Sequence, residues 1–370
     1  APEAGDLAAA RGGGWWLDLR GAEGAGALAE QALSVLEAWR RGARRFAVGL
    51  DSLLGPRGEP LPALGMVHHL QRRLAGAVVE GSFAFPQEPH NRVLRRGEAR
   101  DMALWRDPPA TLSLFLGDSV RIVDLFGAPI APDYRPPYVL VEADPVPKFL
   151  LGLDPELVRT ILSFEAVPER VVPSSRAAAL QVRFTNHFTD RILGSLQIFP
   201  PDGWPGGMQE VPFDVRGGEA WEGEVVLEPS RFAPTGETRH MVRYLLVFAR
   251  EGGERGVEVY QFLRLGHDGW RLQARWSREG DRVRLRQTVT VDGDRPVKMT
   301  AYLRVPGRPP RTEPLGWVRP GAPEVVTFTL SGSEWVPGIV LGVRETDGEG
   351  RFDNAALPDL LPEVGGGELR

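Results

Sequence analysis

The sequence predicts a mainly β protein that opens with a short β-α-β-α segment and continues as three β-sandwich modules. Three observations carry this. Apolar residues keep a helical period only within the first 76 residues. Beyond them, short β-rich runs alternate with Pro, Gly and Asp turn signals. From about Ala166 those runs recur at roughly ten-residue spacing, the rhythm of Ig-like sandwiches of ~100 residues each.

The opening segment is built from four elements. Trp15–Arg20 and Arg45–Leu50 read as short apolar strands. Between them, Leu28, Ala32, Val35, Leu36 and Trp39 fall on one helical face, and Gly42 stands where that helix would stop. Leu64, Val67, Leu70 and Leu74 form the stripe of a second helix. Such units make parallel sheets covered on both faces. Two strands do not make a stable one, so the reading expects further strands from elsewhere.

The rest reads as strands. Val78–Phe85, Asp101–Trp105, Thr111–Leu116, Ser119–Leu125 and Tyr138–Glu142 belong to a module over 77–165, closed by a mixed segment from Pro145 to Glu165. Ala178–Asn186, Leu193–Phe199, Glu224–Leu227, Met241–Arg250 and Val257–Leu265 build a second over 166–266. Leu272–Trp276, Arg282–Val291, Val297–Val305, Glu324–Leu330 and Gly338–Arg344 build a third over 267–370, with Asp292-Gly293-Asp294 as a hairpin turn.

Composition excludes several classes of function. The chain has 370 residues, 42% hydrophobic and 25% charged, with a net charge of −5 and no cysteine. Disulfides, thiolate zinc sites and a cysteine nucleophile are excluded. The charge leaves no footprint for nucleic acid, and no apolar run reaches the length of a membrane span. No phosphate loop, dinucleotide fingerprint or nucleophile elbow stands in the sequence. No cofactor and no metal are expected. Neighbours such as His68 and His69 cannot face one metal from a helix. The stretch Glu345, Asp347, Glu349, Asp353 and Asn354 has calcium-type oxygen donors, but its glycines read as a hairpin first. The chain starts at Ala1 without an apolar leader, which suggests a processed chain or a piece of a longer one.

The first 165 residues resemble the end of retaining (β/α)-barrel glycoside hydrolases with a companion β-sandwich. Trp15-Trp16-Leu17-Asp18-Leu19-Arg20-Gly21 is similar to the seventh barrel strand. Gln31-Ala32 opens the next helix as it does there, and Arg41–Phe46 resembles the passage into the eighth strand. Gly58–Leu64 and Leu70–Ala77 resemble the approach to the last barrel helix and its end. Ala103-Leu104-Trp105, Val123–Gly127 and Pro145–Leu153 resemble strands of the companion sandwich. The resemblance implies that 1–76 are the last β/α units of a barrel and that the protein is secreted or displayed at the cell surface.

The resemblance also places Asp18 where the family has its Glu nucleophile. Retention needs two carboxyl groups about 5 to 5.5 Å apart. Asp is one methylene shorter, and the strand that carries the family's acid/base is missing, as are strands one to six. The expectation is therefore a chain without a complete active site: a non-catalytic structural, assembly or cell-surface part of a glycosidase-like protein. One alternative is half of an active glycoside hydrolase completed by a second chain or an upstream segment. Another is a carbohydrate-binding module set. The expected partners are that completing segment, a polysaccharide, or further copies in a homo-oligomer; exposed sandwich edges suit such docking.

The candidate site residues have two readings each. Asp18 is either the nucleophile position or a polar strand end. Asp51 follows the second strand, where barrels carry functional residues, or it caps a turn. Trp16 either lines a sugar cleft or joins the core. Trp204, in the loop Pro200–Pro205, either stacks on a sugar or covers the end of its sandwich. Trp270, Trp276, Trp317 and Trp335 read as packing residues, and His187 and His240 as surface strand ends.

Overall fold

A computed structural model describes residues 9–10, 14–17, 24–43, 45–135, 137–174, 176–250, 253–359 and 365–369. The chain is mainly β, with three α-helices among the described residues.

The first sheet sets β1 (Ala9–Ala10) antiparallel to β2 (Gly14–Leu17), and β2 parallel to β3 (Phe46–Val48). Helix α1 (Ala25–Arg40) crosses between β2 and β3, and α2 (Pro62–Leu74) follows. The β-α-β-α order expected from the apolar periods is therefore present. A barrel end, expected from the resemblance, is not shown. The described sheet has three strands, and something else covers the helices. Leu28, Leu36 and Trp39 of α1 join Met66, Leu70 and Leu74 of α2 in one core with Leu94, Ala103, Phe149 and Leu151. Those last four belong to an antiparallel sheet, so the apolar stripes find their cover there.

That sheet comes from β4 (Val78–Gly81), β5 (His90–Arg96), β6 (Ala99–Trp105), β7 (Ala110–Leu114), β8 (Arg121–Val123), β9 (Pro129–Ile130), β10 (Asp133–Arg135), β11 (Tyr138–Ala143) and β12 (Lys148–Leu153). Six of them lie in the order β4-β5-β6-β12-β8-β9, and β10-β11-β7 forms a second sheet. Val93, Met102, Leu112, Leu114, Val139 and Leu150 fill the space between the two. Alternation explains the sharing: on β5, Val93 faces this core while Leu94 faces the helices. Strand β4 ends earlier than its sequence suggests. The Asn91 side chain takes both the N–H and the carbonyl of Phe83, at 2.8 and 2.7 Å, and replaces the ladder there.

Helix α3 (Pro155–Leu162) follows. Asp154 accepts from the N–H groups of Glu156 and Leu157, and Pro155 fills the first turn, a strong helix start. Leu157 enters the core of the next two sheets and Val158 the core just described.

The next two sheets come from β13 (Glu165–Val167), β14 (Arg170–Val171), β15 (Ala178–Thr185), β16 (Ile192–Phe199), β17 (Gln209–Val215), β18 (Ala220–Leu227), β19 (Arg239–Arg250) and β20 (Gly253–Leu265). They lie in the orders β13-β15-β18 and β14-β20-β19-β16-β17. The last two sheets come from β21 (Trp270–Glu279), β22 (Arg282–Val291), β23 (Val297–Arg304), β24 (Arg311–Val318), β25 (Glu324–Ser331), β26 (Val340–Glu345), β27 (Phe352–Ala356) and β28 (Gly365–Leu369). Their orders are β25-β22-β21-β28 and β24-β23-β26-β27. These sandwich-like pairs are consistent with Ig-like modules. The acidic stretch is part of the β26–β27 hairpin, where Arg351 holds Glu345 at 3.1 Å.

Candidate functional site

The residues singled out in the sequence do not form one site among the described residues. Asp18 lies outside them. Trp16 is placed by its backbone alone, in β2 opposite Ala47. Asp51 is exposed in a 3-10 turn after β3, and the Ser52 N–H donates to the Gly49 carbonyl at 3.1 Å. A β carbon at Gly49 would come 2.5 Å from Asp51 Oδ1, so the glycine lets the carboxylate fold back over the turn. That is a turn-forming geometry.

Trp204 takes the second of its two readings. Its side chain is only 8% exposed and belongs to the core of the sheets from β13 to β20. Its ring lies 5.3 Å from that of His240. A covered indole offers no face to a sugar ring, so Trp204 closes the sandwich end. His240 is also buried, contrary to the expectation of a surface strand end. Burial lowers its pKa, while a 2.6 Å hydrogen bond to the Pro234 carbonyl opposes the shift. The exposed indole is instead Trp317, 59% accessible on β24, the edge strand of its sheet. The sequence reads Trp317 as a packing residue; the structure leaves its ring open on an edge strand, in a segment that Pro314 and Gly316 disguise as a loop.

Two places bring functional side chains together. The first is a cleft of about 670 Å³ between β7 and β20. Ile161, Leu162 and Phe164 contribute apolar lining, and Phe85 and Arg239 line it as well. Tyr260 donates to Glu258 at 2.5 Å, and Arg243 reaches the same carboxylate at 3.2 Å. Burial, then this hydrogen bond, raises the Tyr260 pKa. Burial, then the Glu258 charge, raises that of Tyr138. Two ion pairs link the sandwich-like halves on either side. Arg239 pairs with Glu88 and stacks 4.6 Å from the Phe262 ring centre, and Arg255 meets Asp118 at 3.4 Å.

The second place is the joint between the sheets of β13–β20 and those of β21–β28. The Asp353 carboxylate accepts from the Thr235 hydroxyl and, at 3.1 Å, from the Leu272 N–H. Asn354 donates to the carbonyls of Arg231 and Ala233 at 3.0 and 2.9 Å and accepts from the Tyr302 hydroxyl. Thr235 and Asn354 also exchange backbone bonds: the Thr235 N–H donates to the Asn354 carbonyl, and the Asn354 N–H donates to the Thr235 hydroxyl. A β carbon at Gly342 would collide with Asn354 and Tyr302, so glycine lets these polar groups meet. Beside the joint, His267 sits edge-on to Trp270 at 4.0 Å, and burial lowers its pKa to about 4. Burial raises the pKa of Asp353.

Among the described residues, no group of three or more His, Asp or Glu side chains is arranged to hold a metal ion. No described helix is long and apolar enough to cross a membrane.

No family model and no curated protein matches the sequence. Solved structures match weakly. Red sea bream transglutaminase is 13% identical over 56% of this chain, with a TM-score of 0.24, and the chain spans 31% of that protein. A DUF4785 family protein of Legionella pneumophila is 9% identical over 77% of this chain and 94% of its own length, with a TM-score of 0.24. Trypsin-activated alpha-2-macroglobulin of Escherichia coli is 12% identical over 79% of this chain and 24% of its own length, with a TM-score of 0.25.

Proposed function

We propose that this chain is a non-catalytic structural part, a jointed β-sandwich arm of a larger secreted or cell-surface protein of glycosidase-like organisation. The polar joint carries this reading. Thr235, Asp353, Asn354 and Tyr302 spend a dense set of buried hydrogen bonds on fixing one sandwich against the next. A binding or catalytic centre would aim such groups at a ligand; here they are aimed at each other. In this reading the β2-α1-β3 unit is continued by strands from another segment. Sandwich boundaries near 76, 166 and 266 set the arm's joints.

Small-angle scattering of the purified chain, combined with a hydrolysis screen on aryl glycosides, tests this. The expected result is a single elongated shape and no turnover. A broad distribution of shapes would overturn the arm. Turnover lost on Asp18→Asn would overturn the non-catalytic reading and favour the hydrolase alternative.

One observation favours a carbohydrate-binding role as the second reading: Trp317, with its largely open ring beside Lys298 on the neighbouring strand. In that case Trp317→Ala abolishes retention on an insoluble polysaccharide and leaves the melting midpoint unchanged.

A further inference from the structure

The cleft between β7 and β20 has a lining that does not fit a simple pocket wall. Leu112, Ser113, Leu114, Phe115 and Leu116 line it without a gap, and so do Glu258, Val259, Tyr260, Gln261 and Phe262. Successive strand residues point to opposite faces. An unbroken run at a cavity therefore means that the cavity meets each strand along its edge.

The ladders agree. Strand β7 is hydrogen-bonded to β11 only and stands at the end of its sheet. Strand β20 is fully paired with β19, but its other side meets β14 only at Arg264 and Leu265. Gly253–Leu263 thus has one open flank, and within Glu258–Phe262 every second residue turns its N–H and carbonyl toward the cleft.

Natural edges are blunted with Lys, Pro or bulges. Ala110–Leu114 contains no charge and no proline, and its ladder with β11 runs without a register shift. On β20 the charge of Glu258 is already met by Arg243. Inside the cleft, Gln261 Oε1 is buried and has no hydrogen-bond partner.

We propose that this cleft is a strand-addition site that takes an extended, uncharged peptide segment of a partner protein and hydrogen-bonds it to the free edges of β7 and β20. A run of five residues is ~17 Å long, enough for one short strand. Alternate apolar side chains of the guest would land on Ile161, Leu162 and Phe164. The guest is uncharged because the guanidiniums around the cleft already have carboxylates: Arg239 has Glu88, Arg264 has Glu237, Arg170 has Asp268 and Arg255 has Asp118. This site is independent of the arm function proposed above, which rests on the other joint.

The test uses the full chain and a fluorescein-labelled, C-amidated peptide of alternating Thr and Val, seven residues long, followed by fluorescence anisotropy. Proline at every Val position and Glu at every Thr position give two control peptides. The expected result is saturable binding of the first peptide, at least about tenfold weaker for both controls and for Ser113→Lys, which places a blocking charge on an exposed edge position. Hydrogen exchange on the unaltered protein should slow at amides in both 110–116 and 257–262 when the peptide is added. No binding of the Thr/Val peptide, equal binding of the proline peptide, or equal binding of the Glu peptide overturns the proposal. Slowed exchange outside both strands does so as well. Concentration-dependent dimers that protect these edges while excluding the peptide would assign the site to a second copy of this chain and also overturn it.

Discussion

The two joints of the β-rich region solve one problem with different proportions of apolar and polar contact. Between the sheets of β4–β12 and those of β13–β20, the link is mixed: the Ser163 and Thr160 hydroxyls accept from the N–H groups of Thr185 and His187 at 2.9 and 3.2 Å, and α3 sends Leu157 into one core and Val158 into the other by apolar contact. Contacts of this kind are non-directional, and they leave a cleft spanned by ion pairs. Between the sheets of β13–β20 and those of β21–β28, the link is a directional network of Thr235, Asp353, Asn354 and Tyr302. A helix seated in two cores holds two bodies together and tolerates space beside it. A polar clamp fills its space and fixes one geometry.

The largest expected effect lies in the clamp. Asn354→Ala removes three hydrogen bonds, to the Arg231 and Ala233 carbonyls and from the Tyr302 hydroxyl, although the Tyr302 hydroxyl keeps its 3.2 Å bond to the Arg231 carbonyl. A lost hydrogen bond costs ~0.5 to 1.5 kcal/mol net, so chemical denaturation should show a loss of about 2 to 4 kcal/mol. A loss below about 1 kcal/mol would erase the contrast between the joints.

Next comes acid. His267 titrates at about 4 in the folded chain against an ordinary 6.5. A histidine lowered in this way contributes stability above its unfolded value, which is lost as the pH falls from about 6.5 through about 4. At ~1.4 kcal/mol per unit the shift corresponds to roughly 3 kcal/mol. His267→Gln should remove that part of the pH dependence, read as melting midpoint against pH.

Asp353 runs the other way. Burial raises its pKa, so the folded chain holds that proton more tightly than the unfolded chain does. Its contribution is complete below the ordinary value and is lost as the pH rises through the raised one. Asp353→Asn should flatten this segment of the same curve, and an unchanged slope would place the titration elsewhere.

The smallest effect belongs to the α3 joint. Arg239→Ala removes an ion pair of two half-exposed groups. Such pairs are worth ~0 to 1 kcal/mol, so the denaturation midpoint should barely move. A drop above about 2 kcal/mol would make this joint as directional as the other.

Much of this fold was legible. The stripes of α1 and α2 announced their buried faces, and the β texture after Ala77 announced the sandwich-like sheets. What covers a stripe is not written in it. The helices looked like barrel helices, and an antiparallel sheet uses the same apolar face. The Asp154-Pro155 helix start was legible and was passed over inside a segment read as mixed. Strand β24 was hidden by Pro314 and Gly316, near an irregularity in its pairing with β23. The clamp could not be read, because Thr235 and Asn354 meet across 119 positions of chain. Nor could the open edges, which depend on which strands fail to become neighbours.

Helix α3 has a consequence for how the chain matures. Its eight residues belong to two cores at once, and the second is built from sequence that follows it. During synthesis, Val158 finds its place when the sheets of β4–β12 close, while Leu157 stays wet until β15–β20 have emerged. The first half of the chain thus carries an unfinished surface for the time needed to make about a hundred further residues. The two halves are coupled through one short helix, and in a calorimeter they should melt as one unit.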